Sequence, residues 1–180
     1  YSKDKRLIEA FKNGEDIHTA TAAHVFGTNL FGVSEDQRRR AKVVNFGIMY
    51  GAGPFRMSNE LEISRGEAAE LISDYFNTYP GIRNYLDETI EFAREHKYVQ
   101  TLFGRKRPVP DIDASNRMSR EGAERIATNM PIQGTAADII KLAMIQVHKR
   151  VKAEGFKAKM ILQVHDELVF EVPDAEIEAL

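Results

Sequence analysis

Hydrophobic and polar residues follow two different periods along the chain. Over most of its length, apolar residues recur every three or four positions, as in amphipathic helices, with breaks at Gly or Pro. Helices are predicted at about residues 4–13, 16–26, 34–50, 64–79, 82–97 and 119–154, with a further helix starting at Pro54. Branched apolar runs at 159–164 and 168–172 are typical of strands. The pattern predicts a mostly α fold with a small antiparallel β element (α+β).

Local signals fix several helix ends. Ser34 is a good N-cap, and Ser64 with Glu67 three residues later forms a capping-box sequence. Ser119 is the predicted start of the longest helix. Pro131 lies inside that helix, where it removes a backbone hydrogen bond and predicts a kink.

Two hairpins are predicted. Residues 98–103 alternate weakly and precede the basic run 104–108, which predicts a hairpin with a basic tip near 98–109. The second hairpin carries His165, Asp166 and Glu167 at its tip. A plain surface turn is one interpretation of these residues, since Asp is common in turns. A His-Asp metal dyad of a phosphohydrolase is another, but such dyads lie on helices, and this setting predicts strands.

Composition narrows the classes of protein. The 180 residues are 43% hydrophobic and 29% charged, with a net charge of −2 and no cysteine. These values favour a globular cytosolic protein without disulfides or thiolate metal sites. No apolar run approaches the length of a membrane span, so no membrane partner is expected. Basic residues cluster locally, at 38–42, 105–107 and 149–159.

The helix after Ser34 carries the main candidate site. Arg38, Lys42, Phe46 and Tyr50 recur every four residues and so lie along one edge of a helix. This edge is cationic at its start and aromatic at its end, an order that suits the phosphates, sugar and base of a nucleotide. A solvated basic turn that runs into a buried aromatic half is the alternative.

The residues of this helix resemble a known motif. The pattern Arg38-x-x-x-Lys42-x-x-Asn45-Phe46-Gly47-x-x-Tyr50-Gly51 specifies seven residues in fourteen and resembles the fingers-helix motif of family A DNA polymerases. The segments 163–167 and 125–138 resemble two further motifs of that family, in the same order. The resemblance covers essentially the whole chain and implies fingers helices plus a partial palm of a right-hand polymerase.

The resemblance implies a nucleotide-binding site. By it, Arg38, Lys42 and His18 contact the triphosphate, and the first two also assist catalysis by neutralising the departing pyrophosphate. Phe46 packs on the deoxyribose, and Tyr50 lies by the templating base.

The resemblance also implies metal chemistry at the last hairpin. Asp166 corresponds to a ligand of catalytic Mg²⁺, and Glu167 lies beside it as a second catalytic residue. The family uses two Mg²⁺ ions for phosphoryl transfer and takes a further carboxylate from an upstream Asp-Tyr-Ser motif. That motif is absent from this sequence.

The remaining implied contacts are with DNA. Arg125, Asn129 and Gln133, spaced by four residues, match contacts to the minor groove and primer terminus, and His165 is the fourth predicted DNA contact. Every base pair offers acceptors in the minor groove, so donors there test pair geometry without reading sequence.

The predicted function is DNA-templated DNA synthesis in replication and repair, in the bacterial cytosol or nucleoid. Primer-template DNA and deoxynucleoside triphosphates are the expected partners, and the full-length protein is expected to be a monomer. Residues 1–110 are predicted to be largely fingers and 111–180 partial palm of a longer chain, so the fragment alone is predicted to be inactive. A single-subunit RNA polymerase relative and a non-catalytic DNA-binding relative are the alternatives.

Overall fold

The computed structural model describes residues 1–180 and contains seven α-helices and four short β-strands. The elements in chain order are α1 (Lys5–Lys12), α2 (Ile17–Val25), α3 (Glu35–Met49), α4 (Pro54–Leu61), α5 (Arg65–Thr78), α6 (Pro80–His96), β1 (Tyr98–Gln100), β2 (Lys106–Pro108), α7 (Arg117–Ala153), β3 (Lys159–Val164) and β4 (Glu167–Glu171). The prediction of a mostly helical protein with small antiparallel β elements is confirmed. None of the helices combines the length and the apolar character needed to cross a membrane.

Capping side chains begin several helices as predicted. The Ser34 side chain accepts a hydrogen bond from the backbone N–H of Gln37, and the Gln37 side-chain oxygen accepts one from the backbone N–H of Ser34. Ser64 and Glu67 form the same reciprocal pair at the start of α5. These capping boxes satisfy backbone donors that the first helical turn leaves without partners.

The predicted start of α6 at residue 82 is wrong, because the helix begins at Pro80. Proline suits the first helical position, where no backbone donor is needed. Gly81 then approaches α1 closely, since a Cβ atom there would lie 2.7 Å from Cα of Asp4. The Gly81 backbone N–H donates to Asp4 Oδ2 over 2.9 Å, which ties the start of α6 to the start of α1.

The start of α7 also differs from the prediction. The helix begins at Arg117, and Asn116 Oδ1 accepts the backbone N–H of Ser119 over 3.1 Å. Asn116 therefore occupies the capping position that the sequence analysis gave to Ser119. Pro131 lies inside α7, as predicted.

The chain forms two compact units. The first contains Tyr1–Val99 and Lys106–Met130, and the second contains Gln100–Arg105 and Pro131–Leu180. The first unit has two hydrophobic clusters. One packs α3, α4 and α5 with the start of α6 around Met57 and Tyr75, and the other surrounds Val99 and Ile112.

The second unit ends in the antiparallel hairpin of β3 and β4. Lys159 pairs with Glu171 and Val164 with Glu167, with an irregularity between Met160 and Leu162. The hairpin contains only these two strands. Several of its apolar side chains are exposed, among them Ile161 and Leu162.

The predicted basic tip of the first hairpin needs correction. Lys106 and Arg107 lie in β2, so Arg105 is the one basic residue of the run that lies in the connecting loop. The Arg105 side chain donates to Gly134 O and Asp138 Oδ1 within the second unit. It is therefore partly committed to protein contacts.

The start of α7 allows a direct test. Asn116→Ala should lower the free energy of unfolding by about 1 kcal/mol, because the Ser119 backbone donor loses its acceptor. Ser119→Ala, at the site that the sequence alone favours, should change it by less than about 0.5 kcal/mol. Chemical denaturation of both variants measures these values, and a larger loss for Ser119→Ala would contradict the observed cap.

Candidate functional site

The predicted cationic and aromatic edge is present on α3. The rings of Phe46 and Tyr50 are stacked, with centroids 6.1 Å apart and planes inclined by 11°. Lys42 Nζ lies 5.9 Å from the centroid of Phe46. Both rings are 38% exposed, so the edge presents flat apolar surface to solvent rather than burying it. A buried aromatic half, the alternative interpretation of this helix, is thereby excluded.

Arg38, at the cationic end, is anchored by Asp16. Arg38 Nε donates to Asp16 Oδ2 over 2.5 Å, and the other carboxylate oxygen accepts the backbone N–H groups of His18 and Thr19. One carboxylate therefore caps α2 and orients the guanidinium on α3. The pairing of Asp16 with Arg38 is not predictable from local sequence patterns, because the two residues are 22 positions apart.

These contacts perturb the titration of Asp16. The hydrogen bond from Arg38, followed by those from the backbone of Thr19 and His18, lowers the pKa of Asp16 from 3.8 to about 2. The charged carboxylate therefore stabilises the fold at all pH values above about 4, and this contribution is lost as the pH falls through about 2.

Asn45 holds His18 in a defined orientation. The Asn45 side-chain amide nitrogen lies 2.9 Å from His18 Nδ1, and its oxygen accepts the Thr21 hydroxyl over 3.1 Å. Because the amide nitrogen is a donor, His18 Nδ1 is the acceptor, and the ring proton resides on Nε2. Asn45 is 2% exposed. The sequence motif includes Asn45 but does not indicate that it orients His18. The only sequence feature that could have indicated this role is a polar residue on the buried face of α3.

His18 is a neutral donor rather than a cation. Burial is the main cause that lowers its pKa below the ordinary 6.5; the charge of Asp16 opposes this shift, and the smaller effects of Arg38 and Lys42 add to it. The ring of His18 also lies 5.6 Å from that of Phe46. The structure thus brings together two cations, a neutral N–H donor and an aromatic pair on one surface of the first unit.

The opposite side of α3 is used for packing. A Cβ atom on Gly47 would lie 2.7 Å from Cε of Met57, so Gly47 lets α4 approach α3 and does not face a ligand. Arg40 donates to Leu61 O over 2.7 Å and lies over the ring of Phe26. These contacts hold α3 on the side opposite its cationic and aromatic edge.

Two predicted DNA contacts lie elsewhere in the first unit. Arg125 lies next to Gly51, where an added Cβ atom would be 3.3 Å from Cγ of Arg125. Gly51 has a φ of 74°, which favours glycine. Arg125 lines an open cavity of about 710 Å³ together with Phe55. Asn129 follows one helical turn later, and its Oδ1 is buried without a hydrogen-bond partner.

The second unit carries the other predicted residues. His165 and Asp166 form the two-residue turn between β3 and β4, and Glu167 is the first residue of β4 rather than part of the turn. His165 has a φ of 54°, the left-handed conformation that tight two-residue hairpin turns use. Gln133, on α7, is exposed to solvent.

The carboxylates of the turn fit one part of a Mg²⁺ site. Asp166 and Glu167 are both exposed, and hard cations prefer such oxygen ligands. No group of three or more His, Asp or Glu side chains able to hold a metal ion occurs in the chain. A Mg²⁺ ion at Asp166 would therefore need further oxygen atoms from a bound phosphate group or from other protein segments.

Comparison with known proteins identifies the family. The chain belongs to DNA polymerase family A, whose family model matches residues 1–180. DNA polymerase I of Caldicellulosiruptor bescii is 54% identical over 97% of this chain and 21% of its own length. DNA polymerase I of Streptococcus pneumoniae strain R6 is 54% identical over 98% of this chain and 20% of its own length. The thermostable DNA polymerase I of Thermus thermophilus is 49% identical over 98% of this chain and 21% of its own length.

A solved structure has the same fold. It is the POL domain of Pol1 from M. smegmatis in complex with DNA primer-template and dNTP, with a TM-score of 0.93 and 44% identity. The match covers 99% of this chain and 31% of that chain. The chain spans about a fifth of the length of the curated relatives that it matches.

The tautomer of His18 can be tested by changing its partner. Asn45→Asp should raise the pKa of His18, because a carboxylate accepts a proton from Nδ1 and favours the imidazolium ion. In the unmodified protein, His18 should titrate below 6.5, with the Nε2–H tautomer. Its contribution to stability is then complete above that pH and falls as the pH decreases below it. Nitrogen-15 NMR of labelled histidine measures both the pKa and the tautomer.

Asn77→Asp is the matched control, because Asn77 is an exposed asparagine on α5. It should leave the titration of His18 unchanged. A pKa of 6.5 or higher for His18 in the unmodified protein, or equal shifts in the two variants, would contradict the hydrogen bond from Asn45.

Proposed function

We propose that the protein to which this chain belongs catalyses DNA-templated DNA synthesis, adding deoxynucleotides to a primer 3′-hydroxyl. The observation that carries the proposal is the surface formed by α2 and α3. Two cations, a neutral imidazole donor and a stacked aromatic pair lie there in the order of the parts of a nucleoside triphosphate. Membership of the family, whose solved relative was captured with primer-template DNA and dNTP, supports the same conclusion.

The triphosphate is held by Arg38, Lys42 and His18. Arg38 pairs with Asp16 in the absence of nucleotide, but the two side chains are 46% and 40% exposed. Exposed ion pairs contribute about 0–1 kcal/mol, so a triphosphate can replace Asp16 at little cost. Lys42 supplies a second charge, and His18 donates from Nε2 without adding a third. These groups neutralise negative charge as pyrophosphate departs.

The aromatic residues receive the rest of the nucleotide. Phe46 packs against the deoxyribose, and Tyr50 lies next to the templating base. Phe46 has no hydroxyl group, so the ribose side of the site is apolar. The stacking of the two rings limits their rotation and presents one continuous surface.

The metal site is centred on Asp166, with Glu167 beside it. Two Mg²⁺ ions, when bound, would polarise the α-phosphate and stabilise both the attacking 3′-hydroxyl oxygen and the departing pyrophosphate. Asp166 projects from a two-residue turn that two strands fix in place, which limits its freedom before the ion arrives. We propose that the second bridging carboxylate comes from a protein segment beyond the residues of this chain.

DNA binds to the donors of α7 and the hairpin turn. Arg125, Asn129 and Gln133 contact acceptors in the minor groove, and His165 contacts the primer side of the site. Acceptors at purine N3 and pyrimidine O2 occupy similar positions in all Watson–Crick pairs, so these contacts test geometry and not sequence.

The proposed organisation is that of a right-hand polymerase. Residues 1–110 are largely fingers and 111–180 are partial palm, and the exposed apolar side chains of β3 and β4 pack against the remainder of the palm. The full-length protein acts as a monomer in the bacterial cytosol or nucleoid, where its DNA substrate is found.

The role of Asp166 gives a test of the mechanism. In a full-length polymerase that carries this chain, Asp166→Ala should lower the rate of primer extension with Mg²⁺ by at least about a thousandfold. A metal ligand supplies several kcal/mol of transition-state stabilisation, and each 1.4 kcal/mol corresponds to about a factor of ten. Single-turnover extension of a labelled primer measures the rate.

Glu171→Ala is the matched control, because Glu171 is an exposed carboxylate at the far end of β4, and it should extend primers at the rate of the unmodified enzyme. The isolated residues 1–180 should show no templated extension in the same assay, because Asp166 has no bridging carboxylate partner there. Normal extension by Asp166→Ala, or robust extension by residues 1–180 alone, would contradict the proposed metal site.

A further inference from the structure

The turn of α7 that carries Gln133 is intrinsically weak. Pro131 precedes it and lacks the backbone donor that an interior helical position requires. Gly134 follows it, and glycine costs about 1 kcal/mol relative to alanine inside a helix. Gln133 is itself exposed. Its side chain is therefore held by a segment in which helical hydrogen bonding and helix propensity are both reduced.

The loop of residues 101–105 forms hydrogen bonds with this same segment of α7. Arg105 Nη2 donates to Gly134 O over 2.8 Å, and Arg105 Nε donates to Asp138 Oδ1 over 2.8 Å. The backbone N–H of Leu102 donates to Thr135 Oγ1 over 3.0 Å. The loop thus contacts Gly134 and Thr135, which directly follow Gln133, and Asp138, one turn further along α7.

The loop is internally bonded, so it can act as a rigid support. Thr101 N–H donates to Arg105 O over 3.0 Å, and Gly104 N–H returns a bond to Thr101 O over 3.0 Å. Thr101 Oγ1 accepts the Arg105 N–H over 3.1 Å, and Thr101 is only 3% exposed. Gly104 has a φ of 82°, which allows the tight reversal.

The burial of Asp138 makes its partner Arg105 hard to replace. The Asp138 side chain is 12% exposed, whereas that of Arg105 is 46% exposed. A largely buried carboxylate requires a charged or hydrogen-bonding partner. Lysine would keep the charge opposite Asp138, but its compact ammonium group lacks the planar fork that reaches two acceptors together.

We infer that Arg105 is a positioning residue for Gln133, holding the weakened turn of α7 through Gly134 and Asp138 so that the Gln133 amide meets the minor groove in one geometry. The inference rests on the proposed function of Gln133 in DNA synthesis. It gives two of the five Arg105 donors a role in holding α7 rather than in contacting DNA phosphates.

The test uses a full-length polymerase that carries this chain and a primer-template whose terminal pair contains 3-deazaadenine or 3-deazaguanine. These bases lack the N3 acceptor of the minor groove but still pair normally. The measured quantity is the ratio of single-turnover extension rates with the natural and the modified base, with the purine in the primer and in the template in turn. The unmodified enzyme should show a ratio of about ten for one strand, the rate equivalent of a hydrogen bond.

Gln133→Ala should reduce this ratio to about one. Arg105→Ala should also reduce it below about three although Gln133 is still present, and Arg105→Lys should give an intermediate value. The double variant Arg105→Ala with Gln133→Ala should show the same ratio as Gln133→Ala alone. Arg150→Ala is the matched control, because Arg150 forms an exposed ion pair with Glu154 in the same unit, and its ratio should stay near ten.

The outcomes separate the inference from the proposed function. A ratio near ten for Arg105→Ala and Arg105→Lys, with a general loss of rate, would assign Arg105 a purely structural role and overturn the inference alone. A weaker salt dependence of DNA binding in Arg105→Ala, with its ratio unchanged, would make Arg105 a phosphate contact and overturn it as well. A ratio near ten for Gln133→Ala would overturn the proposed role of Gln133 and, with it, the inference.

Discussion

The carboxylate of Asp16 is the contact on which the candidate nucleotide site depends. It caps α2 through the backbone of His18 and Thr19 and pairs with Arg38 on α3. The same two helices are joined below the surface by the chain of hydrogen bonds from Thr21 through Asn45 to His18. The orientations of Arg38 and His18 therefore follow from how α2 packs on α3.

This arrangement separates rigid from exchangeable contacts. The bonds of Asn45 are buried, so breaking them would leave polar groups without partners, and the orientation of His18 is consequently fixed. The pair between Arg38 and Asp16 is exposed and is stabilised only weakly. A site of this kind keeps its donors organised before the ligand arrives and gives up little when Arg38 changes partners, which is a requirement for repeated binding and release.

Local sequence signals predicted most elements of the fold but few of the contacts between them. The caps at Ser34 and Ser64 depend on residues three positions apart, and the fourfold spacing of the α3 residues depends on helix geometry alone. In contrast, Arg38 meets Asp16 across 22 positions in sequence, and Arg105 meets Asp138 across 33. Such contacts are determined by tertiary packing, which the hydrophobic pattern does not specify. Local errors, at Pro80 and Ser119, arose where another residue could begin the helix equally well.

The proposed nucleotide site requires Arg38 to exchange Asp16 for the triphosphate of a nucleotide. The most direct measurement is the NMR resonance of Arg38 Nε–H in the polymerase at neutral pH, during titration with a deoxynucleoside triphosphate and with the corresponding nucleoside. Arg39, which is 79% exposed and pairs with Asp36, provides an internal reference. If Arg38 exchanges partners, its Nε–H resonance should shift saturably with the triphosphate and not with the nucleoside, while the Arg39 resonance stays unchanged. An Arg38 resonance that stays unchanged at saturating triphosphate, or that shifts only together with Arg39, would contradict this exchange.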